Sequence, residues 1–181
     1  MRELGVSYTP LKFQTSDQTY AAYLGKRCVA VTSDRSQLAA KRTGFPTPGD
    51  HALLPEVMSK EPLTPATANA DPAWADAIRW ITYALIQAEE SGITKANIDA
   101  KLAEAQANDN LADRRRFLGV EGDFGRQLGL PPDFVVKAVR AVGNYGEMFD
   151  RNVGPGSPLN LDRGLNRQWK DGGLMYSPPF R

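Results

Sequence analysis

The hydrophobic pattern changes texture part-way along the chain. Up to about Ala68, short apolar runs alternate with short helical stretches. Residues 6–13 alternate and carry Val6, Tyr8 and Phe13, the signature of a strand. Ser16 or Asp17 can then cap a helix running to Lys26, with Gly25 near its end. CVAVT at 28–32 is a near-continuous apolar run, as parallel strands show when helices cover both faces. Ser33 or Asp34 caps a second short helix that ends near Gly44. Residues 52–58 read as a third strand, bent or placed at an edge by Pro55. The order βαβαβ predicts a parallel, right-handed α/β sheet.

Residues 59–72, SKEPLTPATANADP, hold prolines at 62, 65 and 72 and predict an extended crossing between units. Beyond it the period becomes helical. Asp71 caps a helix with Pro72 at its first position, and Trp74, Ile78, Ile81, Leu85 and Ala88 form one stripe. Gly92 ends that helix; Ile93, Thr94 and Ile98 staple and cap the next, which continues through Leu102 and Ala105. A short helix is predicted over 111–118. Another starts after Pro131, with Phe134, Ala138, Val142, Tyr145 and Phe149 on one face. GPGSP at 154–158 must be an irregular loop, and Asn160 can cap a last helix bearing Leu161, Leu165 and Trp169. The organisation is therefore a partial α/β lobe over 1–58, a crossing or hinge over 59–70, and a helical region over 71–181.

Composition narrows the chemistry. A formal net charge of +1 over 181 residues gives no broad footprint for nucleic acid. The longest apolar stretch, around residues 80–88, is interrupted by Thr82 and Gln87 and cannot span a bilayer. MRELGVSYTP has no apolar central region or cleavage site, so the chain as written is expected to stay in the cytoplasm. Cys28 is the only cysteine and His51 the only histidine, which removes disulfides, cysteine clusters and most zinc constellations. No metal and no cofactor are expected.

The remaining candidates are few. Asp34 is most simply a helix cap. Cys28 lies in an apolar run, where a small buried thiol is the ordinary expectation. His51 would have to serve any Ser–His hydrolytic site, but no G-x-S-x-G elbow accompanies it, so a packing or solvated role is preferred. Glu56 and Glu61, beside Pro55 and Pro62, could do acid–base work if their pKa values were pushed apart; partners for Lys60 are the simpler reading. Arg114–Arg116 read as a solvated helix face, with Asp109 and Asp113 nearby. The glycines of 119–129 lack the strand–glycine–helix context of a dinucleotide site.

Several strings in order bear a family resemblance: GKRCVAVTSD at 25–34, LLPEVMSKEPLTPA at 53–66, DPAWADAIRWITYALIQAEESGIT at 71–94, FLGVEGDFGRQLGL at 117–130, and the tail VGNYGEMFDRNVGPGSPL to GGLMYSPPFR. Together they resemble the C-terminal part of the general L-amino-acid-binding proteins of ABC importers. That resemblance implies a partial type II periplasmic-binding-protein lobe, a parallel sheet, followed by helices that pack on the first lobe. It also implies a periplasmic amino-acid receptor that works with an ABC permease.

The implied site is incomplete. In the family an arginine and hydroxyl or backbone donors of lobe one clamp the ligand carboxylate, and no matching segment is found here. The acidic residue that meets the ammonium group maps to Asp34, a role compatible with capping. Glu56, Ser59 and Lys60 become cleft neighbours at the crossing. Val29 stands where relatives usually have an acid, and ATANA at 66–70 where they have an arginine-bearing segment. The strand whose cysteine would pair with Cys28 has no match, so Cys28 is expected as a free thiol. The expected function is that of a truncated amino-acid-binding protein with weak or lost affinity. The alternative is a hydrolase-type activity, for example on esters, acquired on that scaffold. Helices whose usual partner lobe is absent imply a homo-oligomer.

Overall fold

The computed structural model describes residues 5–59 and 62–180. The chain divides into two compact units, Met1–Pro62 and Leu63–Arg181.

In the first unit, α1 spans Ser16–Leu24 and α2 spans Arg35–Thr43. Thr15 caps α1: its hydroxyl accepts from the Gln18 amide at 3.2 Å, one residue ahead of the expected caps. Gly25 and Gly44 close the two helices. A single 3-10 turn, Pro48–Asp50, follows. Among the described residues of this unit the buried apolar ones are Tyr20, Ala22 and Ala39.

The parallel βαβαβ sheet predicted for this unit does not form. Among the described residues there is no strand, and residues 6–13, 28–34 and 52–59 are irregular. An isolated bridge between Gln168 and Met175 lies in the other unit. The reason is that alternation is a local property, whereas a strand exists only through a ladder to a neighbour. CVAVT has the residues of a doubly covered strand, yet Val29 is 99% exposed. The pattern is present and the covering is not. The architecture is therefore helical.

In the second unit, α3 (Pro72–Glu90) is the longest helix. The Asp71 carboxylate accepts from the Trp74 amide at 2.9 Å, and Pro72 occupies the first turn, as the sequence predicts. Its end is a Schellman closure: the Gly92 amide donates to Glu89 O, and the Ile93 amide to Ala88 O at 2.8 Å. Ile93 and Ile98 are then buried on either side of a reciprocal Thr94–Asn97 pair, which starts α4 (Ile98–Ala107). Short helices α5 (Ala112–Phe117) and α6 (Phe124–Gln127) lead to α7 (Phe134–Val142) and α8 (Tyr145–Asn152). α3 packs on α7 and α8, and α4 on α5 and α7. The core joins Leu85, Ala88, Leu118, Val135, Val136 and Val139. Trp80, Phe117, Phe124 and Phe180 extend it edge to face, with ring centroids 4.7–5.4 Å apart.

Two expectations need correction here. The single helix predicted after Pro131 is broken into α7 and α8. Gly143 takes φ +78°, a conformation costly for any other residue, and Asn144 with Glu147 forms a capping box that starts α8. The helix predicted after Asn160 is replaced by two 3-10 turns, Gly164–Asn166 and Trp169–Asp171. Asn160 has φ +46°, which a capping residue does not adopt.

Candidate functional site

Asp34 sits immediately before α2, with φ −56° and ψ 140°. Its carbonyl accepts from Leu38, but its carboxylate makes no capping hydrogen bond. The group is exposed at the head of a helix, where backbone amides and the helix dipole favour negative charge. Glu56 and Ser59 lie in the irregular exposed stretch 52–59. Lys60 and Glu61 fall outside the described residues. Among the described residues no hydrogen bond or ion pair joins Asp34 to Glu56. Of the four site residues predicted from sequence, Asp34, Glu56 and Ser59 lie among the described residues, all three exposed.

The side chains that do come together in this unit are aromatic. Phe45 lies 6.1 Å from both Tyr20 and Tyr23, centroid to centroid, and edge-on to His51 at 4.8 Å. His51 Nδ1 is 2.8 Å from the Tyr23 hydroxyl, and Arg42 donates to the His51 carbonyl at 3.4 Å. The imidazole is a packing group, held by a phenol and two rings. On the other side of α1, an open hollow of about 510 Å³ is lined by Lys12, Gln14, Gln18 and Arg27 over Phe13 and Ala22. The Arg27 guanidinium lies 5.6 Å from the Phe13 ring centroid, a cation–π contact that presents its charge at the rim. Lys12 and Arg27 flank α1 in the sequence, and no spacing rule flags two residues 15 positions apart.

The second unit carries a polar lock of a different kind. Arg163 donates to both carboxylate oxygens of Glu89 at 2.9 and 3.1 Å, 74 residues apart in sequence. The same guanidinium lies over Tyr145 at 5.3 Å and Phe149 at 5.1 Å, and donates to Asn166 O. Gln168, buried, donates to Ile86 O at 3.2 Å and to Glu89 at 3.0 Å. Gly146 makes this possible. A Cβ there would stand 2.8 Å from Glu89 Oε1 and 3.0 Å from Arg163 Nη1. Burial, with Glu89 adding to it and Arg163 opposing, raises the Tyr145 phenol above its ordinary pKa. The tail string thus encodes a bidentate ion pair that ties residues 161–168 to α3 and α8. Arg114, Arg115 and Arg116 each pair with acids, Arg115 with both Asp109 and Glu121. They form an ion-paired face rather than a phosphate patch.

Among the described residues, no group of three His, Cys, Asp or Glu side chains could hold a metal ion. No helix among them is long and apolar enough to cross a membrane.

The described residues form a helical architecture, and comparison with known proteins shows what it is similar to. No protein-family model matches the chain. It is 44% identical over 176 residues to the glutamate/glutamine/aspartate/asparagine-binding protein BztA of Rhodobacter capsulatus. It is 45% identical over 178 residues to the general L-amino acid-binding periplasmic protein AapJ of Rhizobium johnstonii. Each match covers 97% of this chain and 51% of the relative. A solved ABC-transporter periplasmic binding protein from Brucella ovis, with glutathione bound, superimposes with a TM-score of 0.85 at 46% identity, over 99% of this chain and 55% of that one. Along 97% of its length the chain is similar to the C-terminal part of amino-acid-binding proteins of ABC transporters. It spans about half the length of the curated relatives it matches.

Proposed function

We propose that the chain serves as one portion of a receptor for polar L-amino acids in an ABC importer, with weak affinity of its own. The observation that carries this is similarity at 42–45% identity along 97% of the chain to proteins described as amino-acid-binding. Asp34 is the proposed ammonium partner. Its exposed carboxylate, uncommitted to capping at a helix start, is chemically suited to that role. Glu56, Ser59 and Lys60 are its proposed neighbours, and residues 59–70 the hinge. The membrane partner is the importer's permease. In isolation the chain self-associates, a reading supported by the large apolar side chains that it exposes.

Thermal unfolding against glutamate, glutamine, aspartate, asparagine and glutathione, followed by titration calorimetry, tests the binding. A ligand at 100 times its Kd should stabilise the protein by about 2.7 kcal/mol. A shift that disappears in Asp34→Ala is the expected result. A shift retained in full by Asp34→Ala would remove Asp34 from the site, and no shift with any of the five would remove the binding itself.

A further inference from the structure

We propose that the C-terminal segment Ser177–Phe180 is a strap seated in a peptide-binding groove of the second unit. The groove takes the same kind of segment from outside: an extended peptide in which two prolines precede an aromatic residue. It is built from α3, α5 and α6 alone and does not depend on the receptor reading.

Three observations converge. The first is an aromatic box. The Phe180 ring meets Trp80, Phe117 and Phe124, with centroids 5.2, 5.0 and 5.4 Å away and the rings inclined at 77°, 82° and 69°. Such edge-to-face pairs contribute beyond the area they bury. Trp80 and Phe124 also meet each other at 4.7 Å, so two walls of the box are in place without the tail. The second is how the strap is held. From Tyr176 to Phe180 the chain is neither helix nor strand, and among the described residues no backbone group of this stretch hydrogen-bonds to the rest of the unit. The last such bonds belong to Met175, whose amide donates to Arg167 O at 3.0 Å and whose carbonyl accepts from Trp169 at 3.0 Å. Ser177 is buried, yet its hydroxyl donates to the neighbouring Pro178 carbonyl. Pro178 and Pro179 have no amide to offer and fix φ near about −65°. The segment is therefore extended before it docks, as proline-rich peptides are that bind aromatic grooves. Its side chains hold it, as they hold a bound peptide. The third is room. A hollow of about 450 Å³ remains beside Pro179 and Phe180, lined also by Gln87, Ser91, Phe117 and Arg114. That is the size of a ligand pocket, roughly 300–1,000 Å³. Gln87, Ser91 and Arg114 set hydrogen-bonding groups beside its apolar walls, so a segment bulkier than the tail fits there.

The test uses the full chain carrying Phe180→Ala, which empties the box and keeps the tail, together with the synthetic peptide YSPPFR. Titration calorimetry should show one peptide bound per chain, and saturating peptide should raise the thermal midpoint of the variant towards that of the unaltered chain. The peptide YSPPAR should bind about 30-fold or more weakly, the scale of a central aromatic anchor. The unaltered chain should bind YSPPFR about 10-fold or more weakly than the variant does, because its own tail competes at the roughly millimolar effective concentration of a short tether. If Phe180→Ala does not fold, Phe180→Leu, which leaves part of the box filled, takes its place. No binding by the folded variant, or a midpoint that the peptide leaves unchanged, overturns the proposal and makes the tail ordinary core packing. Equal affinity for the two peptides, or equal affinity of the variant and the unaltered chain, overturns it as well, since the peptide then sits elsewhere. None of these results bears on amino-acid binding, which stands or falls on its own titration.

Discussion

The second unit buries Ile93, Ile98, Leu118, Val135, Val136 and Val139 almost completely, whereas the first buries Tyr20 and two alanines. Each full burial of an aliphatic side chain contributes about 1.5–3 kcal/mol, while an alanine contributes far less. Capping does not separate the two units: Thr15 caps α1, whereas α4, α5, α6 and α7 have no side-chain cap. α3 has a side-chain cap, a proline in its first turn and a Schellman end, and α8 has a complete capping box. α2 begins at a residue whose side chain caps nothing. The difference teaches where stability resides: in a core assembled from neighbouring helices, not in the richness of apolar residues as such. Val29 and Val135 are the same residue type with opposite fates.

Truncating the core is the largest expected effect and the sharpest test of this contrast. Leu118→Ala should destabilise the second unit by about 3–4 kcal/mol, since the side chain is wholly enclosed. In thermal unfolding that is a drop of roughly 12 °C or more for a unit of this size. Val29→Ala in the first unit should change the midpoint by no more than the measurement error. If the two variants behave alike, the division into a self-sufficient and a dependent unit is wrong.

The polar lock comes next. Arg163→Ala or Glu89→Gln leaves one partner of a mostly enclosed pair uncompensated, at an expected cost of about 2 kcal/mol. Arg163→Lys should recover only part of it. An ammonium cannot make both hydrogen bonds in one plane or lie flat on Tyr145 and Phe149. Chemical denaturation of the four proteins checks this. A loss below about 0.5 kcal/mol in Arg163→Ala, the range of an ordinary surface ion pair, would reduce the lock to decoration.

Much of the second unit was legible beforehand because its signals are local. Asp71–Pro72, the part of the stripe from Ile81 to Ala88, the stop at Gly92 and the Ile93–Ile98 staple need only neighbours within one or two turns, whereas Trp74, expected on the same stripe, is exposed. The break at Gly143 was missed because Phe134, Ala138, Val142, Tyr145 and Phe149 continue one face across it. A glycine followed by N-x-x-E at 144–147 was the available clue. The sheet was misread for the opposite reason: residues 6–13 and 28–32 have strand composition, but pairing is decided by partners far away in the chain. The Glu89–Arg163 pair spans 74 residues, and no periodicity links such positions. Asp34 was found through family strings and not through its surroundings.

The smallest effect separates two aspartates that look alike in the sequence, each standing just before a helix. Asp71 accepts a hydrogen bond from the Trp74 amide, so Asp71→Ala should cost about 1 kcal/mol. Asp34 has no such bond, so Asp34→Ala should cost no more than a few tenths of a kcal/mol, the residue of a helix-dipole interaction. The pair can be compared by denaturant titration under one set of conditions. Equal losses would mean that the Asp34 carboxylate is engaged as a cap in solution, and a ligand ammonium would then have to compete with α2 for it. A loss confined to Asp71 would leave Asp34 with a charge at a helix start that the fold does not use. That is what a residue kept for ligand binding should look like.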